Sequence, residues 1–321
     1  MSGEFNLIEK YFVGRQKQRN DVLLAAGDDC ALVQVPQGLS VAISTDTLVA
    51  GTHFLADADP ALVAHKALAS NISDLAAMGA TPAWVSFALT MPEPDEVWLA
   101  PFCESFFSLA DYFGIQLIGG DTTKGPLSLT LTVQGLVNPE KALRRNGARV
   151  GDRIYVTGNL GDSKAGLDVI LSAQQEDKPY ASELEQRHYL SSPRVLVGQA
   201  LLGLASSAID ISDGLISDLK HILKRSNVGA SIDVSTLPVS NELVQFLGSA
   251  EQAQQYALSS GEEYELCFTV PEQNLGAIES ALAHCGTQIT CIGQIRPEGM
   301  FEIHSQGKAL DWTLSGYDHF N

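Results

Sequence analysis

The segment Leu127-Ser128-Leu129-Thr130-Leu131-Thr132-Val133-Gln134 alternates apolar and polar residues without a break. A period of two sends successive side chains to opposite faces, so this stretch reads as a strand with one apolar face and one hydroxyl-rich face. The apolar face has to be covered by other elements. The hydroxyl face is left to meet solvent or a partner sheet.

The surrounding sequence supplies those elements. Cys30 to Val35 and Leu39 to Ile43 are short and rich in Val, Leu and Ile, and Pro36-Gln37-Gly38 between them predicts a hairpin turn. Asp59-Pro60 starts a helix that runs through His65, Asn71 and Asp74 to Gly79, with Asn71 and Asp74 on one face. Trp84 to Thr90 reads as a buried strand and Asp95 to Phe113 as an amphipathic helix. Gln116 to Ile118 reads as a short strand ending at Gly119-Gly120-Asp121. The polar, glycine-bearing stretch Asn138 to Asp152 predicts a boundary, giving domains 1–148 and 149–321. Beyond it, helices are expected around Gly161 to Leu171, Pro193 to Leu204, Leu215 to Arg225 and Pro271 to His284. Strands are expected at Arg153 onward, Gly229 to Asp233, Tyr264 to Val270 and Thr287 to Gly293. Helices and strands interleave in both halves, which predicts an α/β (α+β) layered fold.

Lys+Arg of 20 against Asp+Glu of 38 leave a formal net charge of −18, which disfavours nonspecific nucleic-acid or anionic-membrane partners. The five cysteines, Cys30, Cys103, Cys267, Cys285 and Cys291, are scattered and never form Cys-x-x-Cys, so they suit a reducing cytoplasm rather than a zinc site or disulfide framework. No stretch approaches the ~20 apolar residues of a membrane span, and the N-terminus lacks a basic start followed by an apolar run.

Acidic clusters lie on or beside the apolar runs: Gly27-Asp28-Asp29-Cys30, Ser44-Thr45-Asp46-Thr47, Gly119-Gly120-Asp121-Thr122-Thr123 and Asp210-Ile211-Ser212-Asp213-Gly214. Singly, each has an ordinary reading: Asp28-Asp29 after a glycine is a turn, and Ser212 before Leu215 is a helix N-cap. Together, Asp29, Asp46, Asp74, Asp121, Asp210 and Asp213 predict a shared Mg²⁺ site, because converging carboxylates repel unless a cation or protons neutralise them. Asp74 alone could be a solvated helix position near Lys66 or Ser70, and His53 a packed histidine. Arg144-Arg145 reads as a solvated charge pair or as phosphate ligands. Trp312 and Tyr317 either close the core or stack on a flat or cationic ligand. Gly158 to Gly166 has the look of a phosphate loop but lacks its Gly-Lys-[Ser/Thr] ending, so a strand-to-helix turn capped by Asp162 or Ser163 is expected. Rossmann, nucleophile-elbow and His-Glu-x-x-His motifs are missing.

Read in order, Gly3-Glu4-Phe5-x-Leu7-Ile8, Gly27-Asp28-Asp29-Cys30-Ala31, Ser44-Thr45-Asp46, Gly51-x-His53-Phe54, Asn71-x-Ser73-Asp74-Leu75-Ala76-Ala77-Met78-Gly79, Gly119-Gly120-Asp121-Thr122, Asp210-x-Ser212-Asp213-Gly214-Leu215, Gly261-Glu262-x-Tyr264-Glu265-Leu266 and Gly316-Tyr317-Asp318-His319-Phe320 resemble the thiamine-monophosphate kinase family. The match spans essentially the whole chain. Single pieces such as Ser-Asp-Gly are shared with aminoimidazole ribonucleotide synthetase and selenophosphate synthetase. The resemblance implies a two-domain fold like that of aminoimidazole ribonucleotide synthetase, and a homodimer whose N-terminal sheets pair into a barrel-like core. It also implies a C-terminal domain closing over nucleotide and substrate. By position, Asp29, Ser44, Thr45, Asp46, Asp74, Asp121, Asp210 and Asp213 match the family's Mg²⁺ positions. Gly120, Asp121, Arg145 and Ser212 match nucleotide contacts, and His53, Glu262 and Tyr317 match positions around thiamine monophosphate. Two departures fall at the substrate end: Ser260-Gly261-Glu262-Glu263 stands where Gly-Gly-Glu-Asp is usual, and Trp312 lies further from Gly316-Tyr317 than expected.

The implied reaction is in-line transfer of the γ-phosphoryl of ATP to thiamine monophosphate, giving thiamine diphosphate and ADP. Asp46, Asp121 and Asp213 are expected to matter most, as metal scaffold rather than as acid–base catalysts. Two alternatives are a sister ATP-dependent enzyme acting on another acceptor and a noncatalytic metal- or nucleotide-binding protein.

Overall fold

The ten residues Ser128–Val137 form one continuous strand, and the alternation that predicts it organises the N-terminal half. The computed structural model of the chain describes residues 4–172 and 179–312. Contacts divide it into two units, Met1–Leu75 with Ala80–Glu140, and Ala76–Gly79 with Lys141–Asn321. The architecture is a two-domain α/β fold with mixed sheets.

The N-terminal unit contains α1 (Glu4–Tyr11), β1 (Val22–Leu24), β2 (Leu32–Val33), β3 (Ser40–Val49), α2 (Pro60–Ala77, whose last residues count with the other unit), β4 (Thr81–Met91), α3 (Glu96–Tyr112), β5 (Gln116–Lys124) and β6 (Ser128–Val137). Its main sheet is open and four-stranded, ordered β3-β6-β4-β5, with β4 and β5 parallel and joined through α3. Val85, Phe87 and Leu89 of β4 and Leu129, Leu131 and Val133 of β6 form its apolar face. Phe87 stacks on Phe102 and Phe106 of α3, with ring centroids 5.6 and 5.7 Å apart. On the opposite face the hydroxyls pair across strands, Thr45 with Thr132 and Thr47 with Thr130, each at 2.9 Å. The small β1–β2 sheet contributes Val22 and Val33 to the cluster around Trp84 and Ile118.

The C-terminal unit contains β7 (Arg153–Thr157), α4 (Asp162–Leu171), α5 (Pro179–Tyr189), α6 (Val195–Ala200), β8 (Ser207–Asp210), α7 (Leu215–Ser226), β9 (Gly229–Asp233), α8 (Asn241–Leu247), α9 (Ala250–Ser259), β10 (Leu266–Val270), α10 (Leu275–Leu282), β11 (Ile289–Arg296), β12 (Phe301–Ser305) and β13 (Lys308–Ala309). Its seven-stranded sheet is ordered β13-β12-β9-β11-β7-β10-β8, antiparallel except for the β12–β9 pair. Leu215, Ile216, Leu219, Ile222 and Leu223 repeat at helical spacing on α7 and pack with Ile154, Val156, Ile209 and Ile232 from the sheet. Trp312 joins the margin of this core.

Several expectations are corrected. The turn at Pro36-Gln37-Gly38 forms, with Leu39 N–H bonded to the Pro36 carbonyl, but no hairpin follows. β2 pairs with β1, and β3 pairs over ten positions with β6, whose alternation offers a longer matched register than the two-residue β2 could. β5 continues through Gly119-Gly120-Asp121-Thr122-Thr123, so this acidic motif lies on a strand and not beyond its end. Gly214, not Ser212, is the N-cap of α7, and Gly161, not Asp162 or Ser163, that of α4; neither helix has a side-chain bond from its cap. The helix expected over Pro193 to Leu204 contracts to α6. Short β8 and the helices α5, α8 and α9 add to the elements expected from the sequence.

Candidate functional site

Alternation along β3 decides which acidic-cluster residues can meet. Asp59 Oδ1 accepts the Ala61 N–H at 2.8 Å, fixing the start of α2, and four turns later α2 delivers Asp74 to the apolar side of the sheet. Ser44 and Asp46 project from β3 to that side, and Ser44 Oγ donates to Asp74 Oδ2. Burial, and then the charge of Asp74, push the Asp46 carboxyl up to about 6. Three residues before Asp74, the fully buried Asn71 donates its amide to the Ala67 carbonyl while its Oδ1 has no hydrogen-bond partner. Two repelling carboxylates and an orphaned buried oxygen suit a hard cation. Thr45 alternates to the opposite face, where its hydroxyl is paired with Thr132.

Asp29 and Asp121 line a separate cavity of about 210 Å³ in the same unit, walled by Ile8 of α1, Phe12 just beyond it, Phe87 and the Gly119-Gly120 backbone. Asp28 Oδ1 accepts the Asp29 N–H at 2.8 Å and holds the turn. A Cβ on Gly120 would lie 1.9 Å from the Phe87 carbonyl oxygen, so the parallel β4–β5 pair requires glycine there. Register places Asp121 and Asp46 on opposite faces, on the sheet's two edge strands. His53 ends the β3 segment: its Nδ1 accepts the Val49 N–H at 3.0 Å and its carbonyl accepts Lys66 Nζ at 3.1 Å. The Nδ1 acceptor role puts the neutral ring's proton on Nε2.

In the C-terminal unit the ladder between β8 and β10 runs on beyond both strands. Ile211 N–H donates to Glu265, Tyr264 N–H to Ile211 and Glu262 N–H to Ser212, at 2.8, 2.9 and 2.7 Å. Glu262 and Tyr264 adopt left-handed backbone, φ 59° and 53°, a cost of about 1 kcal/mol each that the surrounding bonds offset. The segments carrying Asp210-Ile211-Ser212-Asp213 and Glu262 are thereby one backbone unit. Glu263 turns inward and its Oε1 accepts the Gly161 and Ser163 N–H groups, at 2.9 and 3.3 Å. The start of α4, the phosphate-loop lookalike, is therefore occupied by an internal carboxylate. Burial, then the Asp162 charge, hold the Glu263 carboxyl well above the usual carboxylate range. Glu262 Oε2 lies 3.9 Å from Nδ1 of the buried His188.

Asp218, in the first turns of α7, accepts the N–H groups of both Ser212 and Asp213 on Oδ2, each at 3.0 Å. Burial drives its carboxyl up to about 7, with the Asp213 charge adding to the rise and Arg145 opposing it. Glu263 stands out in the sequence only as a departure at the substrate end, and Asp218 and His188 carry no motif signal; the partners of all three are set by packing. Tyr317 lies outside the described residues. Among the described residues no group of three or more His, Cys, Asp or Glu side chains gathers as one metal cluster. The aspartates stand instead as Asp46 with Asp74, Asp29 with Asp121 around the cavity, and Asp210 at the end of β8 with Asp213 on the loop that follows it.

Residues 27–137 match the family model of the AIR synthase related protein N-terminal domain, and residues 149–306 that of its C-terminal domain. The chain is 56% identical to the thiamine-monophosphate kinase of Escherichia coli (strain K12), over 99% of this chain and 98% of that one. It is 34% identical to that of Aquifex aeolicus (strain VF5), over 99% and 98%. A crystal structure of thiamine-monophosphate kinase from Stenotrophomonas maltophilia K279a is 41% identical and superposes with a TM-score of 0.84, covering 91% of this chain and 93% of that one. A structure described as AaThiL complexed with AMPPCP and TMP is 30% identical, with a TM-score of 0.78 over 99% and 97%. With this identity sustained along both units, the chain belongs to the thiamine-monophosphate kinase family.

Proposed function

We propose that the chain is an ATP-dependent phosphotransferase that converts thiamine monophosphate and ATP to thiamine diphosphate and ADP. The observation that carries this is identity to thiamine-monophosphate kinases along nearly the whole chain, 56% for the E. coli protein. An oxygen of the acceptor's phosphate forms the new bond to the γ-phosphorus as the γ-phosphorus–oxygen bond to ADP breaks. The acceptor's second pKa is about 6, so it is largely ionised at neutral pH and needs no general base.

Mg²⁺, when bound, offsets the repulsion between the two polyanions and stabilises charge on the transferring group. Asp29, Ser44, Asp46, Asp74, Asp121, Asp210 and Asp213 would hold it, with Thr45 contributing through its backbone because its side chain lies on the other face. Pairs of carboxylates suffice, since Mg²⁺ keeps waters and shares its shell with phosphate oxygens. Gly120, Asp121, Arg145 and Ser212 contact nucleotide; His53, Glu262 and Tyr317 contact thiamine monophosphate. Residues 1–148 form the ATP- and metal-binding, dimer-forming domain, and 149–321 the domain that closes over the ligands. The chain is a cytoplasmic homodimer whose N-terminal sheets pair into a barrel-like core. An open sheet with an exposed, hydroxyl-bearing face supports that pairing. Among the described residues no helix is long and apolar enough to cross a membrane.

Purified protein incubated with Mg·ATP and thiamine monophosphate, with free thiamine in parallel, tests the reading by chromatography. Diphosphate from the monophosphate alone supports it. ATP consumed only with another acceptor would reassign the chain to a sister enzyme, and ion binding without turnover would leave a noncatalytic protein.

A further inference from the structure

Asp218 is 2% exposed and lies one turn inside α7, where a carboxylate would ordinarily face solvent or bond the helix's own first amides. It does neither. Its Oδ2 reaches back past the cap residue Gly214 to the amides of Ser212 and Asp213, both at 3.0 Å. Two N–H groups on one oxygen orient a dipeptide far more narrowly than a single bond does, and drawing both amides inward leaves the Ser212 and Asp213 side chains part-exposed. The loop is also pinned from its other side: the Ser212 carbonyl accepts the Glu262 N–H at 2.7 Å. Backbone approach is so close that a Cβ on Gly261 would lie 2.5 Å from that carbonyl oxygen, and one on Gly214 2.7 Å from the Ser259 carbonyl oxygen.

We infer that Asp218 is a positioning residue, which fixes the direction in which Ser212 and Asp213 meet the nucleotide and its metal by holding both their amides on one oxygen. The inference rests on the proposed function for the roles of Ser212 and Asp213. It does not rest on it for the geometry. Asp218 touches no substrate; it acts through the loop.

The test uses the full chain and four forms: wild type, Asp218→Asn, Asp218→Glu and Asp218→Ala. Asparagine keeps an acceptor oxygen at the same reach, glutamate keeps the charge but moves the oxygen, and alanine removes both. Hydrogen exchange over residues 210–216 is followed without ligand, and binding of a nonhydrolysable ATP analogue with Mg²⁺ is titrated by calorimetry. Wild type and Asp218→Asn are expected to protect the two amides and to bind the analogue within about threefold of each other. In Asp218→Glu and Asp218→Ala the amides should exchange at least about tenfold faster and the analogue bind about tenfold more weakly, the loss expected for one or two hydrogen bonds to a charged group.

Wild-type protection and affinity in Asp218→Glu would overturn the inference, as would an Asp218→Asn protein that loses as much as Asp218→Ala. A purely structural role would lower the melting temperature of the Glu and Ala variants with analogue affinity unchanged. If Asp218→Ala does not fold, the Asn and Glu pair decides. If wild type itself fails to bind the analogue, the proposed function fails, and the ligand-free exchange comparison alone decides the role of Asp218.

Discussion

In the N-terminal unit Asp46 and Asp74 are carried by a strand and a helix that apolar packing holds in place, whereas in the C-terminal unit Ser212 and Asp213 lie on an irregular loop held by other polar groups. Phe87 stacked on Phe102 and Phe106, and the ten-position β3–β6 register, place the first pair without using either carboxylate. Asp218, the Ser212 carbonyl and the Glu262 amide place the second. The difference separates chemistry from scaffold: a carboxylate can be neutralised on the sheet with the frame intact, while on the loop the frame is itself made of hydrogen bonds.

The largest expected effect comes from neutralising the first region. Asp46→Asn or Asp121→Asn should reduce turnover by about a thousandfold or more, the scale of losing transition-state charge stabilisation, with little change in melting temperature. Near-normal turnover with Mg²⁺ would refute the metal-scaffold role. Next in size, Gly120→Ala forces a Cβ to within 1.9 Å of the Phe87 carbonyl. Denaturant titration should show a loss of about 3 kcal/mol or more, since backbone rather than a flexible side chain must move. An intact midpoint would mean that the β4–β5 pair is looser than its register implies.

In the second region, Glu263→Ala removes the carboxylate that caps α4 and should cost about 1–2 kcal/mol, whereas Glu263→Gln, which keeps an acceptor, should cost less. Equal losses from the two would show that charge, not the two amide bonds, is what matters there.

Both regions contribute to one pH effect. Asp46, raised from 3.8 to about 6, and Asp218, raised from 3.8 to about 7, bind protons in the folded state over a range where the unfolded chain has released them. Stability therefore falls as pH rises through that window. The metal-free protein should melt at a higher temperature near pH 5 than near pH 7, and Asp46→Asn should shrink the difference. An unchanged difference in Asp46→Asn would assign it to the buried carboxyls of the C-terminal unit, Asp218 and Glu263, instead. The smallest effect is expected at Thr45→Val: with the hydroxyl on the face opposite Ser44 and Asp46, nucleotide turnover should stay within about threefold of wild type, as for an exposed strand substitution. A loss as large as that of Ser44→Ala would place the Thr45 hydroxyl in the site.

Much of this was legible in the chain. The unbroken alternation from Leu127 to Gln134 became β6, and Asp59-Pro60 became the capped start of α2 carrying Asn71 and Asp74 on one face. The ordered motifs pointed to the family that near-full-length identity then established. The hairpin expected at Pro36-Gln37-Gly38 failed because a turn signal is local, whereas strand partners are chosen by matched length and face. Ser240 and Ser249 cap α8 and α9, bonding the Leu243 and Gln252 amides at 3.0 and 3.3 Å, but the apolar residues behind them, Leu243, Val244, Phe246 and Leu247 on α8 and Ala253 and Tyr256 on α9, span too few turns for their period to stand out in the chain.

Sequence alone determined the strand and helix faces, the acidic residue types at each motif and the family, because periodicity and motif order are properties of the chain itself. Tertiary structure alone decided that Ser44 and Asp46, and not Thr45, take the face that meets Asp74, that Asp121 and Asp46 occupy opposite faces, and that Glu263 and Asp218 are spent on backbone amides. Those outcomes depend on which strand pairs with which and on what lies within hydrogen-bond reach after packing. A one-residue change of register would reverse the first two, and neither register nor reach is encoded in the identity of any single residue.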